Sequence, residues 1–167
     1  MANVEFSVLN QNLMFDAGVG VSQLKTQLSL TNSKDQMCIV LPFPAGADIG
    51  LSGAFQVPQN YASTPVLVAR MVLDGTPANV LGIAAQQVSV ANSETVDVAY
   101  ETEDTASNST WTGYADEEII EMTITLTPAA AYVAGDTVLF RFYRDDSVDT
   151  QTINVLLLDL LFRYTTT

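Results

Sequence analysis

Hydrophobic and polar positions alternate with a period of two over much of this chain, the spacing at which successive strand side chains point to opposite faces. Residues 119–127 show it most cleanly, with Ile120, Met122, Ile124 and Leu126 on one side and Glu121, Thr123, Thr125 and Thr127 on the other. That pattern predicts a strand buried on one face. Residues 4–9 place Val4, Phe6 and Val8 together in the same way, and residues 26–31, the turn at 32–35 and the apolar run 37–41 predict a hairpin. Further strands are predicted over residues 64–74, 80–90, 94–100, 136–144 and 153–164, with a short one near 51–57. In the last long strand the alternation sets Leu156, Leu158, Leu160 and Phe162 against Leu157, Asp159, Leu161 and Arg163.

Three segments keep neither strand nor helix periodicity. Residues 10–23 carry Leu13, Met14 and Phe15 among polar and glycine positions, which predicts a loop or an extended arm. Its apolar anchors either tuck into the chain's own core or reach a partner. Residues 101–118, polar around the lone Trp111, predict a surface loop, and residues 128–135 offer room for one helical turn. Short strands separated by turns such as Asp74-Gly-Thr-Pro77, with no long helix, predict an all-β fold. The specific expectation is an antiparallel β-sandwich of jelly-roll type with about eight to ten strands. Residues 1–25 form its strand and arm-like entry, and residues 26–167 the sandwich.

Composition strengthens the β reading, because eighteen valines, eighteen threonines and seven isoleucines fill a quarter of the 167 positions with β-branched side chains. Charged residues make up only 15% and mean hydropathy is +0.22, so part of the surface is expected to be covered by other chains. A net charge of −13 argues against nucleic acid and anionic membranes as partners, since phosphate binding draws on Lys and Arg. No apolar run approaches the roughly 20 residues of a spanning helix. The first residues lack a basic and apolar leader pattern, and the lone Cys38 fits a small core hydrophobe in a reducing cytoplasm.

The chain has no histidine, which removes the commonest general base, the usual triads and the commonest zinc ligand together. Lys25 and Lys34 lie in turn-like surroundings, and Cys38 has no histidine to activate it. Carboxylate-only glycoside hydrolysis survives as chemistry, because it needs two acids flanking one bond. The candidates are Glu101, Glu103 and Asp104; Asp116, Glu117 and Glu118; and Asp145, Asp146 and Asp149. The same acids read as a solvated face, or as calcium ligands without EF-hand spacing. No catalytic residue, cofactor or metal is assigned. Trp111 and Tyr114 are candidates for stacking on a sugar ring, or form a plug over the sandwich end. Arg141 and Arg144, with Asp145, are expected in ion pairs between strands or subunits.

Two carboxyl-terminal strings, Ala134-Gly-Asp-Thr-Val-Leu-Phe-Arg-Phe-Tyr-Arg-Asp-Asp146 and Leu156-Leu-Leu-Asp-Leu-Leu-Phe-Arg-Tyr164, resemble a pattern of jelly-roll structural proteins in tailed bacteriophages. Upstream, Val57-Pro-Gln-Asn-Tyr-Ala-Ser-Thr-Pro-Val-Leu-Val68 is similar to the same group's earlier region. The resemblance implies a virion protein made in the host cytoplasm: a capsid decoration (cement) protein, typically a homotrimer, bound to the major capsid protein. Leu13, Met14 and Phe15 would then be the arm's capsid contacts. The alternative is a carbohydrate-binding sandwich of a fibre or receptor-binding protein, using Trp111 and Tyr114.

Overall fold

The computed structural model describes residues 2–8, 14–15, 41–43 and 48–167. The predicted hairpin up to residue 40, Leu13, Cys38 and both lysines lie outside the described residues. Ten strands are present: β1 (Asn3–Ser7), β2 (Met14–Phe15), β3 (Leu41–Phe43), β4 (Ile49–Gln56), β5 (Tyr61–Asp74), β6 (Leu81–Val90), β7 (Asp104–Asn108), β8 (Ile119–Thr125), β9 (Thr137–Arg144) and β10 (Asn154–Thr166). Among the described residues there is no helix, so residues 128–135 hold bends and a Gly135 turn at φ +92° instead of the expected helical turn.

All pairings are antiparallel, in two sheets. One runs β3-β10-β5-β8 and the other β4-β9-β6-β7, so the chain crosses between sheets at nearly every connection. That order of eight strands is the jelly roll expected from the sequence. Two short strands extend it: β1 shares an edge of β10 with β3, and β2 lies outside β4.

The core lies between the sheets. β8 alternates exposed and buried residues at every position, as its sequence requires, and buries Ile120, Met122 and Ile124. Leu67, Ala69, Met71 and Leu73 of β5 face Leu51 and Phe55 of β4, Phe140 and Phe142 of β9, and Ile83 of β6 in one cluster. Phe162 is its aromatic hub, with ring centroids 4.4 Å from Phe55, 5.6 Å from Phe6 and 5.7 Å from Tyr164.

Three sequence expectations need correction. Residues 94–100 are not a strand: the segment is a loop in which Val96, Val98 and Tyr100 all stay exposed. The strand lies further on, as β7, inside the polar segment read as a loop. Its short side chains bury only in part, and pairing with residues 81–85 of β6 satisfies its backbone. In β10 a bulge between Leu157 and Asp159 reverses the side-chain parity. Val155 and Leu157 face the core, then Leu160, Phe162 and Tyr164, so Leu156 and Leu158 do not share a face with Leu160. The extra residue turns Asp159 outward, where it accepts a 2.6 Å hydrogen bond from Ser7 Oγ.

Most of the acids do structural work. Glu5 and Glu121 form a four-membered network with Arg70 and Arg163 at 2.9–3.4 Å, joining β1, β10, β5 and β8 across the outer face of the first sheet. Glu101 accepts from the Ala129 amide at 2.7 Å and Asp104 from the Thr127 amide at 2.8 Å, closing the gap between β7 and the segment after β8. Arg144, fully buried, forms an ion pair with Asp149. It also donates to the carbonyls of Ile153 at 2.8 Å and Gln151 at 2.6 Å. Asp145 instead accepts from the amide and hydroxyl of Ser147, holding its own turn.

Candidate functional site

Because Val138, Phe140 and Phe142 point into the core, the alternate residues of β9, Thr137, Leu139, Arg141 and Tyr143, point out of the second sheet. Register then sets Ser52 of β4 and Gln86 of β6 beside Arg141, and Ala54 and Val88 beside Leu139. The Arg141 guanidinium carbon lies 5.6 Å from the Tyr143 ring centroid and 5.8 Å from that of Tyr100, a cation within reach of two aromatic rings. One of its terminal nitrogens donates to Gln86 Oε1 at 3.3 Å.

Tyr100 reaches this face from the loop after β6. The Glu101 amide donates to the Gln87 carbonyl at 2.9 Å, and the Gln87 side-chain amide donates back to the Glu101 carboxylate at 2.8 Å. Those two contacts fold the loop over its own strand and leave Tyr100 37% exposed. At the far end of the same face an open groove of about 430 Å³ is lined by Gln56, Val90, Asn92, Glu94, Val96 and Thr137.

Acids gather at the other end. The Asp146 amide donates to Asp48 Oδ1 at 2.9 Å. The Asp48 carboxylate is the main reason the Asp146 pKa is raised, and burial, then Asp145 and Asp48, raise that of Glu103 against the opposing pull of Arg141. A carboxyl whose folded pKa is raised keeps its proton to higher pH than in the unfolded chain. Stability therefore falls as pH rises from the ordinary carboxylate range through the raised value. Asp146→Asn is expected to raise the melting temperature at neutral pH and to leave it unchanged below the ordinary carboxylate range. A melting series across pH checks this; an equal gain at every pH would point to a cause other than charge. Among the described residues no three carboxylates are arranged to hold a metal ion.

The residues singled out from the sequence lie elsewhere. Trp111 packs on the core, donates its indole N–H to the Asn79 carbonyl at 2.6 Å, and meets Tyr114 edge-on at 6.0 Å. Tyr114 is 40% exposed. Met14 and Phe15 form β2, paired with Ser52 and Leu51 at the edge of the second sheet. Sequence reasoning passed over Gln86, Tyr100 and Tyr143 and treated Arg141 only as an ion-pair residue. The two-residue step from Arg141 to Tyr143 places them on one face as soon as β9 is recognised as a strand.

No protein-family model matches the chain, and no curated protein matches it. Solved structures with a similar course include a family 11 carbohydrate-binding module from Clostridium thermocellum in complex with a β-1,3-1,4-mixed-linked tetrasaccharide. Its identity is 8%, over 96% of this chain and 94% of that one, with a TM-score of 0.47. The CBM22-1 xylan-binding domain of Xyn10C from Paenibacillus barcinonensis is 11% identical over 98% and 94% of the two chains, with a TM-score of 0.47. The mannan-recognising module TmCBM27 is 8% identical over 99% and 100%, with a TM-score of 0.43. All three neighbours are, by name, carbohydrate-binding modules.

Proposed function

We propose that the chain is a non-catalytic glycan-binding module whose site lies on the outer face of the β4-β9-β6 sheet. The observation that carries this reading is the Arg141 guanidinium near both the Tyr100 and Tyr143 rings, at 5.8 and 5.6 Å, with the Gln86 amide beside it. A pyranose offers an apolar C–H face and a rim of hydroxyls. Tyr100, 37% exposed, matches both with ring and hydroxyl, while Tyr143 is buried beneath Arg141 as support and arginine and glutamine supply fixed donors and an acceptor at the rim.

The test is affinity electrophoresis in native gels containing a β-1,3-1,4-mixed-linked polysaccharide, xylan or mannan, chosen after the saccharides named for the solved neighbours. Retardation by at least one polymer is expected, with Tyr100→Ala weakening it about tenfold, as the loss of one aromatic contact implies. Because Tyr100 is partly exposed, its removal is expected to leave the melting temperature nearly unchanged. Loss of binding on Trp111→Ala with Tyr100→Ala silent would move the site to the Trp111–Tyr114 loop.

The capsid-decoration role, as a homotrimer on a major capsid protein, rests on the sequence resemblance and needs its own test. Removing residues 1–20 is unsuitable, since it takes away β1 and the Phe6 contact with Phe162. Alanine at Leu13, Met14 and Phe15 together is the better variant. Undecorated capsids that bind this variant as well as they bind the native protein would end the arm hypothesis.

A further inference from the structure

The face that carries Arg141 continues beyond it. Thr137 lies four residues back along β9, in register with Gln56 and Val90 and on the same side of the sheet. At strand rise the two positions are about 13 Å apart, further than one pyranose ring spans. The row between them consists of Ala54, Leu139 and Val88, none of them polar. Around Thr137 the groove of about 430 Å³ falls inside the roughly 300–1,000 Å³ of small-molecule sites.

Resting on the glycan reading of the Arg141 face, we infer that this groove is a second sugar subsite, so that the ligand is a neutral oligosaccharide spanning both. The groove supplies what a hydroxyl-rich, uncharged ring needs: the amides of Gln56 and Asn92, the hydroxyl of Thr137, and the apolar Val96, 70% exposed on its wall. No cation is among the residues lining it, and Glu94 is. Glu103 feels the charges of Asp145 and Asp48 together with the opposing one of Arg141, in a chain of net charge −13. A uronic acid is therefore repelled at the groove, while neutral hexoses and pentoses are not. The apolar middle row of Ala54, Leu139 and Val88 offers the intervening ring C–H contact without a polar group.

The experiment is titration calorimetry with cello-, xylo- and manno-oligosaccharides of two to six units, and with polygalacturonate. The native protein is expected to bind chains of four or more units at least about tenfold tighter than disaccharides, since a tethered second contact raises affinity without new chemistry. Thr137→Trp, which fills the groove from an exposed strand position, is expected to abolish that gain and leave disaccharide binding intact; Asn92→Ala should reduce it. If affinity is independent of length and Thr137→Trp is silent while Tyr100→Ala still weakens binding, the second subsite is refuted and the Arg141 site stands. If no saccharide binds the native protein, both fall. A preference for polygalacturonate would overturn the neutral ligand class.

Discussion

Asp149→Ala is expected to destabilise the protein by about 3–5 kcal/mol, the cost of leaving a buried charge without its counter-ion. Arg144 is fully buried at the end of β9, and the Asp149 side chain is 1% exposed. With Asp149 gone, the guanidinium loses a buried carboxylate that the Ile153 and Gln151 carbonyls, being dipoles, do not replace. The carboxylate also accepts from the Gln151 amide at 2.7 Å, so the turn between β9 and β10 loses a second tie. Urea denaturation measures the effect. Replacing both partners with apolar residues, Arg144→Met with Asp149→Leu, is expected to cost far less than the single change, because the penalty comes from isolation of the charge. A single-variant loss under about 1 kcal/mol would show that the charge reaches water in some other way.

Phe162→Ala is the second large effect, at about 3–5 kcal/mol. Phe162 is wholly buried and touches rings from β1, β4 and β5, so its loss opens a cavity where both sheets and the first strand meet. Phe162→Leu keeps most of the volume and should cost under about 1.5 kcal/mol. Against a domain stability of about 5–15 kcal/mol, the alanine variant removes a large fraction. Equal losses for leucine and alanine would mean that ring geometry, and not volume, governs this position.

What could be read from the sequence followed contrast between the two faces of each strand. β8 was legible because its two parities contrast, threonine and glutamate against isoleucine and methionine, with Ile119 the one apolar residue on the exposed side. β10 was not, since leucines occupy both parities from 156 to 161 and either register looks equally apolar; only the bulge decides between them. β7 lacks a hydrophobic signal altogether, and its strand character comes from β6 offering backbone partners. The candidate site divides along the same line. Arg141, Tyr143 and Gln86 follow from strand parity, whereas Tyr100 depends on how a 13-residue loop, 91–103, folds back, and the Glu101–Gln87 contact that fixes it joins residues 14 apart.

The pairing of β1 with β10 has a mechanical side. Asn3 lies opposite Thr165 and the Thr166 amide bonds the Ala2 carbonyl, so the two end segments emerge side by side and antiparallel. Tension applied across them would load the bonds of this seam one pair at a time, as a zipper, instead of shearing all five pairs together. Under force the first element to leave is β1, carrying Phe6 out of its contacts with Phe55 and Phe162 before the β4-β9-β6 face on the opposite sheet feels any load.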